Sequence, residues 1–401
     1  MKRQMKATKR IVALVLALVM MATATCIGAF AYDAVPQMKA DLYLHFGDSS
    51  STGYAMMTEE EKDAMKPLDF IMNTTLDQRV EGSYPDIIAH YAGIPDGSSR
   101  FHKFAREGLA TDNLIEMVDP TYYSTGMTDR ERATSDLSWK MFTEDRLEGK
   151  TVTKTRLQKE YQNCVKNSKG KKVLITINIG ANDILSGPVM DLVCGALDAT
   201  KGNLSYQKDV YNMIDQFADQ YAEGDLQKAM KTLLKIGAVV GYTPEMLYRA
   251  VEDEATGISK FHPKWDKLIS TIYNDFTNAG ADLELVAVGY YDATRKLKLV
   301  EADSYHIGRN MGIFSALLED YVAKKSPYRD CYKYAYIREM DLPTWSNMAV
   351  WAFRGTNFIK DFMYCSHPTA KGHQYVADAV KRVILNGHSD EVPDLLMEAL
   401  R

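Results

Sequence analysis

The strongest constraint on the fold is a run rich in Val, Ile and Thr at residues 172–179, with the sequence KVLITINI. β-Branched residues favour strands, and a run this apolar is typical of a strand buried on both faces. It ends at Gly180, and polar residues follow. Two further strand-like runs, at 42–46 and 282–291, are separated from it by long segments with helical spacing. Strands that alternate with helices predict an α/β fold with a parallel sheet.

Residues 1–31 predict a secretory signal peptide. Five basic residues precede an apolar stretch at 11–22, and the small residues Ala29 and Ala31 follow it. This pattern is typical of a cleaved export signal, and the apolar stretch is short for a membrane span. A transmembrane anchor and a lipid anchor on Cys26 are the alternatives. We therefore expect a secreted mature chain, residues 32–401, with no integral membrane span after cleavage.

The charge balance limits the classes of partner. Cleavage would remove five of the 48 basic residues and none of the 53 acidic ones, which leaves a net charge of about -10. An acidic chain does not favour nucleic acid or an anionic membrane surface as a partner. The mature chain is long enough for one large domain with insertions. Two charged segments, at about 119–170 and 190–280, are predicted to be helical insertions.

The cysteine content leaves the redox state open. Four cysteines remain after the expected cleavage, Cys164, Cys194, Cys331 and Cys365. In an exported chain they could form two bridges with three possible pairings, or they could be free buried thiols. Their scattered spacing does not suggest a metal site.

Four candidate site residues follow the ends of the predicted strands or precede a predicted helix. The residues concerned are Ser49, Gly108, Asn182 and His367. In an open α/β sheet, ligands bind beyond the carboxyl ends of the strands. Ester hydrolysis requires a nucleophile, a base within hydrogen-bond reach and donors for the oxyanion, and one residue of each type is available here.

The ordered motifs resemble those of the SGNH/GDSL family of hydrolases. They are Gly-Asp-Ser, an isolated Gly, Gly-x-Asn-Asp and His-Pro, spread in four short blocks from about residue 42 to about residue 385. The family comprises secreted or periplasmic esterases and lipases. The resemblance implies a flavodoxin-like parallel sheet sandwiched by helices, here with two large helical insertions, and chemistry without a cofactor or metal.

The resemblance also implies roles for the four residues. Ser49 would be the nucleophile, and His367 would be the general base that later protonates the leaving alcohol. The oxyanion would be held by the backbone N–H groups of Ser49 and Gly108 and by the side-chain amide of Asn182.

The last motif departs from the family pattern. The family usually has Asp three residues before the His, and Tyr364 occupies that position here. A phenol with a pKa of about 10 cannot supply the negative charge that orients an imidazolium. The candidate orienting groups, in order, are a backbone carbonyl near Ser366 or Cys365 or the Tyr364 hydroxyl, then Asp361, then a distant acid such as Asp292.

Other polar residues near these motifs are expected to be structural. Asp48 would shape the nucleophile turn, and Asp183 would be an N-cap or a brace for the neighbouring amide. Thr111 is a plausible N-cap for the helix after Gly108. His373 is expected to be a packing or surface residue, and His45 has no context that suggests a role.

The sequence thus predicts a secreted serine esterase that hydrolyses carboxylic esters through an acyl-enzyme. The partner would be an ester substrate, either an acylated carbohydrate or a lipid. Export and an acidic surface favour deacetylation of polysaccharide. One alternative is a lipase-like or phospholipase-like acyl hydrolase with a helical lid. The other is a non-catalytic carbohydrate-binding protein on the same scaffold.

Overall fold

The computed structural model describes residues 38–65, 79–129, 131–132, 135–136, 139, 154–185, 258–291, 315–343 and 364–393. The expected signal peptide, most of the second insertion and the candidate residues Asp361 and Asp292 lie outside these ranges. Within the described ranges, no helix combines the length and the apolar character needed to cross a membrane.

The described strands form one five-stranded parallel sheet with the order β2-β1-β3-β4-β5. The strands are β1 (Leu42–Gly47), β2 (Phe101–Lys103), β3 (Lys172–Asn178), β4 (Asp282–Val288) and β5 (Lys333–Ala335). This strand order is the doubly wound order of flavodoxin-like folds, so the predicted fold class is confirmed.

The strand register brings the carboxyl ends of the strands to one edge of the sheet. Gly47 of β1 lies opposite Asn178 of β3, and Val288 of β4 lies opposite Ala335 of β5. The chain leaves β1 towards β2 on one side, while β3 lies on the other side. This change of direction opens a crevice at the carboxyl ends of β1 and β3, which is where doubly wound sheets bind ligands.

Of the α-helices in the described ranges, eight with defined bounds surround the sheet. They are α1 (Glu59–Ala64), α2 (Tyr84–Tyr91), α3 (Thr111–Val118), α4 (Tyr122–Thr125), α5 (Lys154–Lys166), α6 (Ala181–Leu185), α7 (Ile258–Asn278) and α8 (Ala370–Asn386). Residues 315–320 are also helical and continue into a π-helical segment, Tyr321–Lys325. A 3₁₀ turn, Arg329–Cys331, precedes β5.

Side chains of β1 alternate between two cores. Leu44 and Phe46 join the core under α3, α5 and α7, whereas Tyr43 joins the core under α2 and α8. Successive strand residues point to opposite faces, so His45 shares the face of Tyr43. The sheet is therefore the middle layer of a three-layer sandwich, with β1 buried on both faces.

Two of the covering helices lie inside the segments predicted to be insertions. In α5 the side chains of Leu157, Tyr161 and Cys164 are buried at helical spacing in the first core. In α7 a similar stripe is buried in the same core, formed by Phe261, Trp265, Leu268, Ile269, Ile272 and Phe276. Both helices are crossover helices of the sandwich, and residues 190–257 of the second segment lie outside the described ranges.

The described cysteines do not form the two bridges considered above. Cys164 and Cys331 are free thiols, and burial raises the pKa of each thiol. Both would be needed for two bridges among the four cysteines. Cys194 lies outside the described ranges.

Candidate active site

Ser49 lies in a tight turn that follows β1 directly. The Oδ1 atom of Asp48 accepts a hydrogen bond from the Ser50 backbone N–H at 2.9 Å. The Ser50 hydroxyl lies 2.6 Å from the same Oδ1 and 2.8 Å from Oδ1 of Asn178 at the end of β3. Asp48 therefore shapes the turn, as predicted, and the turn is fastened to the neighbouring strand. Ser49 itself is half-buried.

The Asp48 carboxyl is buried and has a raised pKa. Its side chain is buried, and burial raises its pKa to about 6 although the bonds from Ser50 favour the charged form. Among the described residues its Oδ2 atom has no hydrogen-bond partner. The turn therefore carries a carboxyl that changes its protonation state in mildly acidic solution.

The two candidate oxyanion loops are in contact. Gly108 lies in the turn after β2 with φ +72°, a conformation that glycine adopts without a steric penalty. The Arg106 backbone N–H donates to the Gly47 carbonyl at 3.2 Å, which ties this loop to the end of β1. The Asn182 side chain, from α6 after β3, donates through Nδ2 to the Leu109 carbonyl at 3.0 Å. Gly108 and Asn182 thus come from different strands to one place.

Asp183 supports the same region. Its Oδ2 atom accepts hydrogen bonds from the backbone N–H and the hydroxyl of Thr111, both at 2.9 Å. Burial raises the pKa of Asp183 to about 6, although the nearby Lys264 cation opposes that shift. The prediction that Thr111 is the N-cap was wrong, because α3 begins at Thr111 and Ala110 is the N-cap. The capping acceptor comes instead from Asp183 on α6, so the bonds of this carboxyl support the start of α3, and the predicted brace of the neighbouring Asn182 amide stays a prediction.

Thr52 links the loop of Ser49 to the loop of Gly108. Its hydroxyl lies 3.1 Å from Oε1 of Glu107 and 3.3 Å from the Ser49 carbonyl. Glu107 is buried next to Gly108 in sequence. The relative position of Ser49 and Gly108 is therefore set by side-chain bonds as well as by the sheet.

His367 lies on the loop before α8, as predicted, with 8% of its surface exposed. Its ring packs against Tyr54, with ring centroids 4.9 Å apart and an interplanar angle of 67°. Tyr54 follows Ser49 by five residues in the nucleophile loop. The chain thus brings its predicted imidazole against the loop that carries its predicted hydroxyl.

The groups around the imidazole are arranged as follows. The Ser366 hydroxyl lies 3.3 Å from Nδ1 of His367. The Tyr364 hydroxyl donates to the Met57 carbonyl at 3.0 Å. The Ser366 carbonyl accepts from the Tyr291 hydroxyl at 3.0 Å, which anchors the His367 loop to the end of β4. Burial raises the pKa of Tyr291, and the Asp48 charge raises it further.

His373 is a packing residue, which is one of the two roles, packing or surface, that the sequence predicts for it. It is fully buried in α8, and its Nδ1 atom accepts from the Tyr84 backbone N–H at 3.3 Å. Burial and, to a smaller extent, the neighbouring His367 lower its pKa to about 3. A neutral ring therefore joins α8 to the first turn of α2.

Several residues at this edge were not predicted to matter. They are His45, Tyr54, Glu107, Asn178 and Tyr291. Asn178 donates through Nδ2 to the carbonyls of Val288 and Gly289, at 3.3 and 3.1 Å. A polar residue at the last position of an apolar strand was the available signal for Asn178. For the others, the partners lie far away in the sequence.

One group of possible metal ligands occurs in the described ranges, Asp86, His90 and Asp96. The Arg79 guanidinium lies among them, 2.5 Å from Asp86 and 3.4 Å from Asp96. The group lies near the start of β1, because the Ala40 N–H donates to the Ala92 carbonyl just after α2. An arginine already supplies the positive charge there, so this group does not indicate a metal centre.

The carboxyl edge of the sheet therefore holds a hydroxyl, an imidazole and N–H donors from three strands. A family model of GDSL-like Lipase/Acylhydrolase matches residues 43–380. The comparisons with curated proteins and with solved structures found no match. The family match covers β1 from its second residue, the other four described strands in full and all four motifs. The chain belongs to the GDSL-like lipase/acylhydrolase family and is a hydrolase that acts on esters.

Proposed function

We propose that the chain is a secreted serine esterase that cleaves carboxylic esters through an acyl-enzyme, with Ser49 as nucleophile and His367 as general base. The packing of Tyr54 on the His367 ring, at 4.9 Å, is the observation that carries the proposal. It supports a shared site because Tyr54 belongs to the loop of Ser49. Residues 1–31 would direct the chain out of the cell and be removed.

In the first half-reaction, the Ser49 oxygen bonds to the ester carbonyl carbon while His367 takes the hydroxyl proton. The tetrahedral intermediate then collapses, the bond to the alcohol oxygen breaks, and that oxygen takes the proton from His367. In the second half-reaction, water attacks the acyl-enzyme with His367 again as base. The acid leaves and Ser49 regains its proton.

The oxyanion of both intermediates would meet the N–H groups of Ser49 and Gly108 and the amide of Asn182. The bond from Asn182 to the Leu109 carbonyl supports this role, because it fixes one N–H of the amide and so orients the other. Such fixed donors stabilise the transition state without reorganisation during the reaction.

The group that orients His367 is a separate part of the proposal. The Ser366 hydroxyl is close enough to Nδ1 to take part, and Asp361 is the nearest acid in the sequence. The Tyr364 hydroxyl directs its one proton to Met57. We expect Asp361→Asn to lower kcat strongly if the carboxylate supplies the charge, whereas Ser366→Ala would lower it only modestly in that case. The reverse ranking would assign the role to Ser366.

We propose acetylated polysaccharide as the substrate class, because an acidic exported chain is poorly suited to an anionic membrane surface. The comparison of acetyl and long-chain esters of one alcohol tests this. A clear preference for acetyl esters supports deacetylation. A preference for long acyl chains would indicate a lipase-like hydrolase and would refute the proposed substrate.

A fluorophosphonate probe tests the nucleophile. The wild-type chain should be labelled and should hydrolyse p-nitrophenyl acetate, and Ser49→Ala should abolish both. The matched control is Ser124→Ala, because Ser124 is exposed on α4 and its hydroxyl bonds only to the Thr121 carbonyl among the described residues. Folded wild-type protein without labelling or turnover would favour the non-catalytic carbohydrate-binding alternative.

A further inference from the structure

A buried histidine lies directly behind the nucleophile turn. His45 is on β1, four residues before Ser49, and its side chain has no exposed surface. The ring packs edge-on against Tyr84, with centroids 5.1 Å apart. Burial lowers the pKa of His45 well below its usual value, so the ring is neutral. A polar ring is costly in an apolar layer unless both of its nitrogens have partners.

Both ring nitrogens of His45 do have hydroxyl partners. Nε2 lies 3.1 Å from the Ser51 hydroxyl, and Nδ1 lies 3.0 Å from the Thr176 hydroxyl on β3. The Thr176 hydroxyl in turn lies 2.8 Å from the Tyr43 hydroxyl. Four side chains from two strands and the nucleophile turn therefore form one continuous chain of hydrogen bonds.

The protons in this chain of hydrogen bonds can be assigned by counting donors. The Ser51 hydroxyl lies 2.9 Å from the Asp48 carbonyl, and a carbonyl can only accept, so this bond uses the single Ser51 proton. The Ser51 oxygen must then accept from His45, which places the ring proton on Nε2. Nδ1 is then an acceptor, and two hydroxyls lie within hydrogen-bond distance of it, that of Thr176 at 3.0 Å and that of Tyr84 at 3.3 Å. When Thr176 donates to Nδ1, its oxygen accepts from Tyr43, and the bonds run one way from Tyr43 to the Asp48 carbonyl.

The chain of hydrogen bonds ends on the peptide group that joins Asp48 to Ser49. The Asp48 carbonyl accepts from the Ser51 hydroxyl at 2.9 Å and from the Ser51 N–H at 3.1 Å. A trans peptide is planar, and its C=O and N–H point in opposite directions. Holding the carbonyl towards the buried His45 therefore aims the Ser49 N–H the other way. Aligned hydrogen bonds also polarise the peptide that accepts them, which makes its N–H a stronger donor.

Gly47 supplies independent evidence that the turn is built around the Ser51 hydroxyl. A Cβ atom at Gly47 would lie 2.2 Å from the Ser51 hydroxyl oxygen and 2.7 Å from the Asn178 carbonyl. Glycine at this position leaves the space that the hydroxyl occupies. The inside of the turn is thus filled by the group that connects His45 to Asp48.

We propose that His45 is a positioning residue of the oxyanion hole, which orients the Ser49 backbone N–H through the Ser51 hydroxyl and the Asp48–Ser49 peptide. The inference rests on the proposed function, because it assigns the Ser49 N–H to the oxyanion. It adds a residue that touches neither substrate nor nucleophile. The neutral Nε2–H tautomer is part of the proposal.

Substitutions at both ends of the His45–Ser51 bond test this. His45→Phe removes the donor, and we expect kcat to fall about 10- to 100-fold with KM nearly unchanged, because loss of a whole oxyanion donor costs about 100- to 1000-fold. His45→Gln places an amide N–H near the Nε2 position and should restore most of kcat. Ser51→Ala should lower kcat as His45→Phe does, and the double variant should lose no more than either single one.

A further measurement separates positioning from general damage to the fold. A trifluoromethyl ketone forms a tetrahedral adduct with an oxyanion, so its affinity should fall in proportion to kcat in His45→Phe and Ser51→Ala. The control His388→Gln, at an exposed histidine after α8, should change neither value. If His45→Phe does not fold, the kcat of Ser51→Ala and the tautomer of His45 in the wild type still test the positioning role. Two-bond ¹H–¹⁵N spectra should show the His45 proton on Nε2.

Specific results would overturn the proposal. Unchanged kcat in folded Ser51→Ala, or a His45 ring with its proton on Nδ1, would refute the positioning role while wild-type turnover upholds the proposed function. Wild-type protein that hydrolyses no ester and resists the fluorophosphonate would instead refute the proposed function, and the inference with it.

Discussion

Glu319 should make the free energy of unfolding depend on pH in a way that a single substitution removes. The carboxyl is 1% exposed, and it contacts the Tyr334 hydroxyl at 2.7 Å and the Tyr290 backbone N–H at 3.2 Å. A Cβ at Gly289 would lie 2.9 Å from its Oε1 atom, so the backbone just after β4 packs directly on the carboxyl. Burial raises the pKa of Glu319 from 4.5 to about 8, although both hydrogen bonds favour the charged form.

The sign of the effect follows from the two pKa values. Between pH 4.5 and about 8 the folded chain keeps a proton on Glu319 that the unfolded chain has released. The contribution of this group to stability is therefore complete below pH 4.5 and is lost as the pH rises towards 8. Each pH unit in that window costs about 1.4 kcal/mol, so between pH 5 and pH 7 the loss is about 3 kcal/mol.

Glu319→Gln keeps the shape and removes the titration. The Tyr334 hydroxyl donates to the carboxylate, and it can turn to accept from the amide nitrogen of the variant while the amide oxygen accepts from the Tyr290 N–H. We expect equal free energies of unfolding for wild type and variant at pH 5, and a variant more stable by about 3 kcal/mol at pH 7. Urea denaturation at several pH values measures this difference, with Glu391→Gln as the exposed control. A difference that is constant from pH 5 to pH 7 would refute the reasoning.

Three further predictions concern the active-site edge. Asn182→Ala should lower kcat about 100- to 1000-fold with a small change in KM, and steady-state kinetics with unchanged turnover would contradict its role in the oxyanion hole. Gly47→Ala should lose both fluorophosphonate labelling and stability, because its Cβ would lie 2.2 Å from the Ser51 oxygen; labelling at the wild-type rate would show that the turn does not need this space. Thr369→Ala should cost about 1 kcal/mol in urea denaturation, and Thr369→Ser much less, because the hydroxyl accepts from the Gly372 N–H at the start of α8. Equal losses in the two Thr369 variants would rule out capping as the cause.

Much of the fold could be predicted because its strongest signals are local. The apolar runs of β1, β3 and β4 are visible in a few residues each, and the alternation with helices fixes a parallel sheet. The stripe of Leu157, Tyr161 and Cys164 on α5 was also present in the sequence. The charged residues around it predict an insertion, and the packing of α5 on the sheet shows that it belongs to the sandwich.

The site could be predicted only as far as its residues resemble a family motif. His45 gave no signal because one of its partners, Thr176, lies 131 residues away in the sequence. The sequence predicts Thr111 as the cap of α3 for the same reason, because the carboxylate that accepts its bonds is Asp183, 72 residues further on. Contacts between loops of different strands depend on the strand order, and the spacing of residues within one segment does not contain that order.

The position of α8 in the chain has a consequence for biosynthesis. The proposed hydroxyl emerges from the ribosome early, but the imidazole comes just before the helix that closes the layer over β4 and β5. A nascent chain that lacks this helix leaves β4 and β5 uncovered on that face and has not yet packed the proposed base, His367, against the rest of the fold. The proposed catalytic pair and the sandwich should therefore be completed at the same stage of synthesis. We expect truncated chains that lack α8 not to hydrolyse esters.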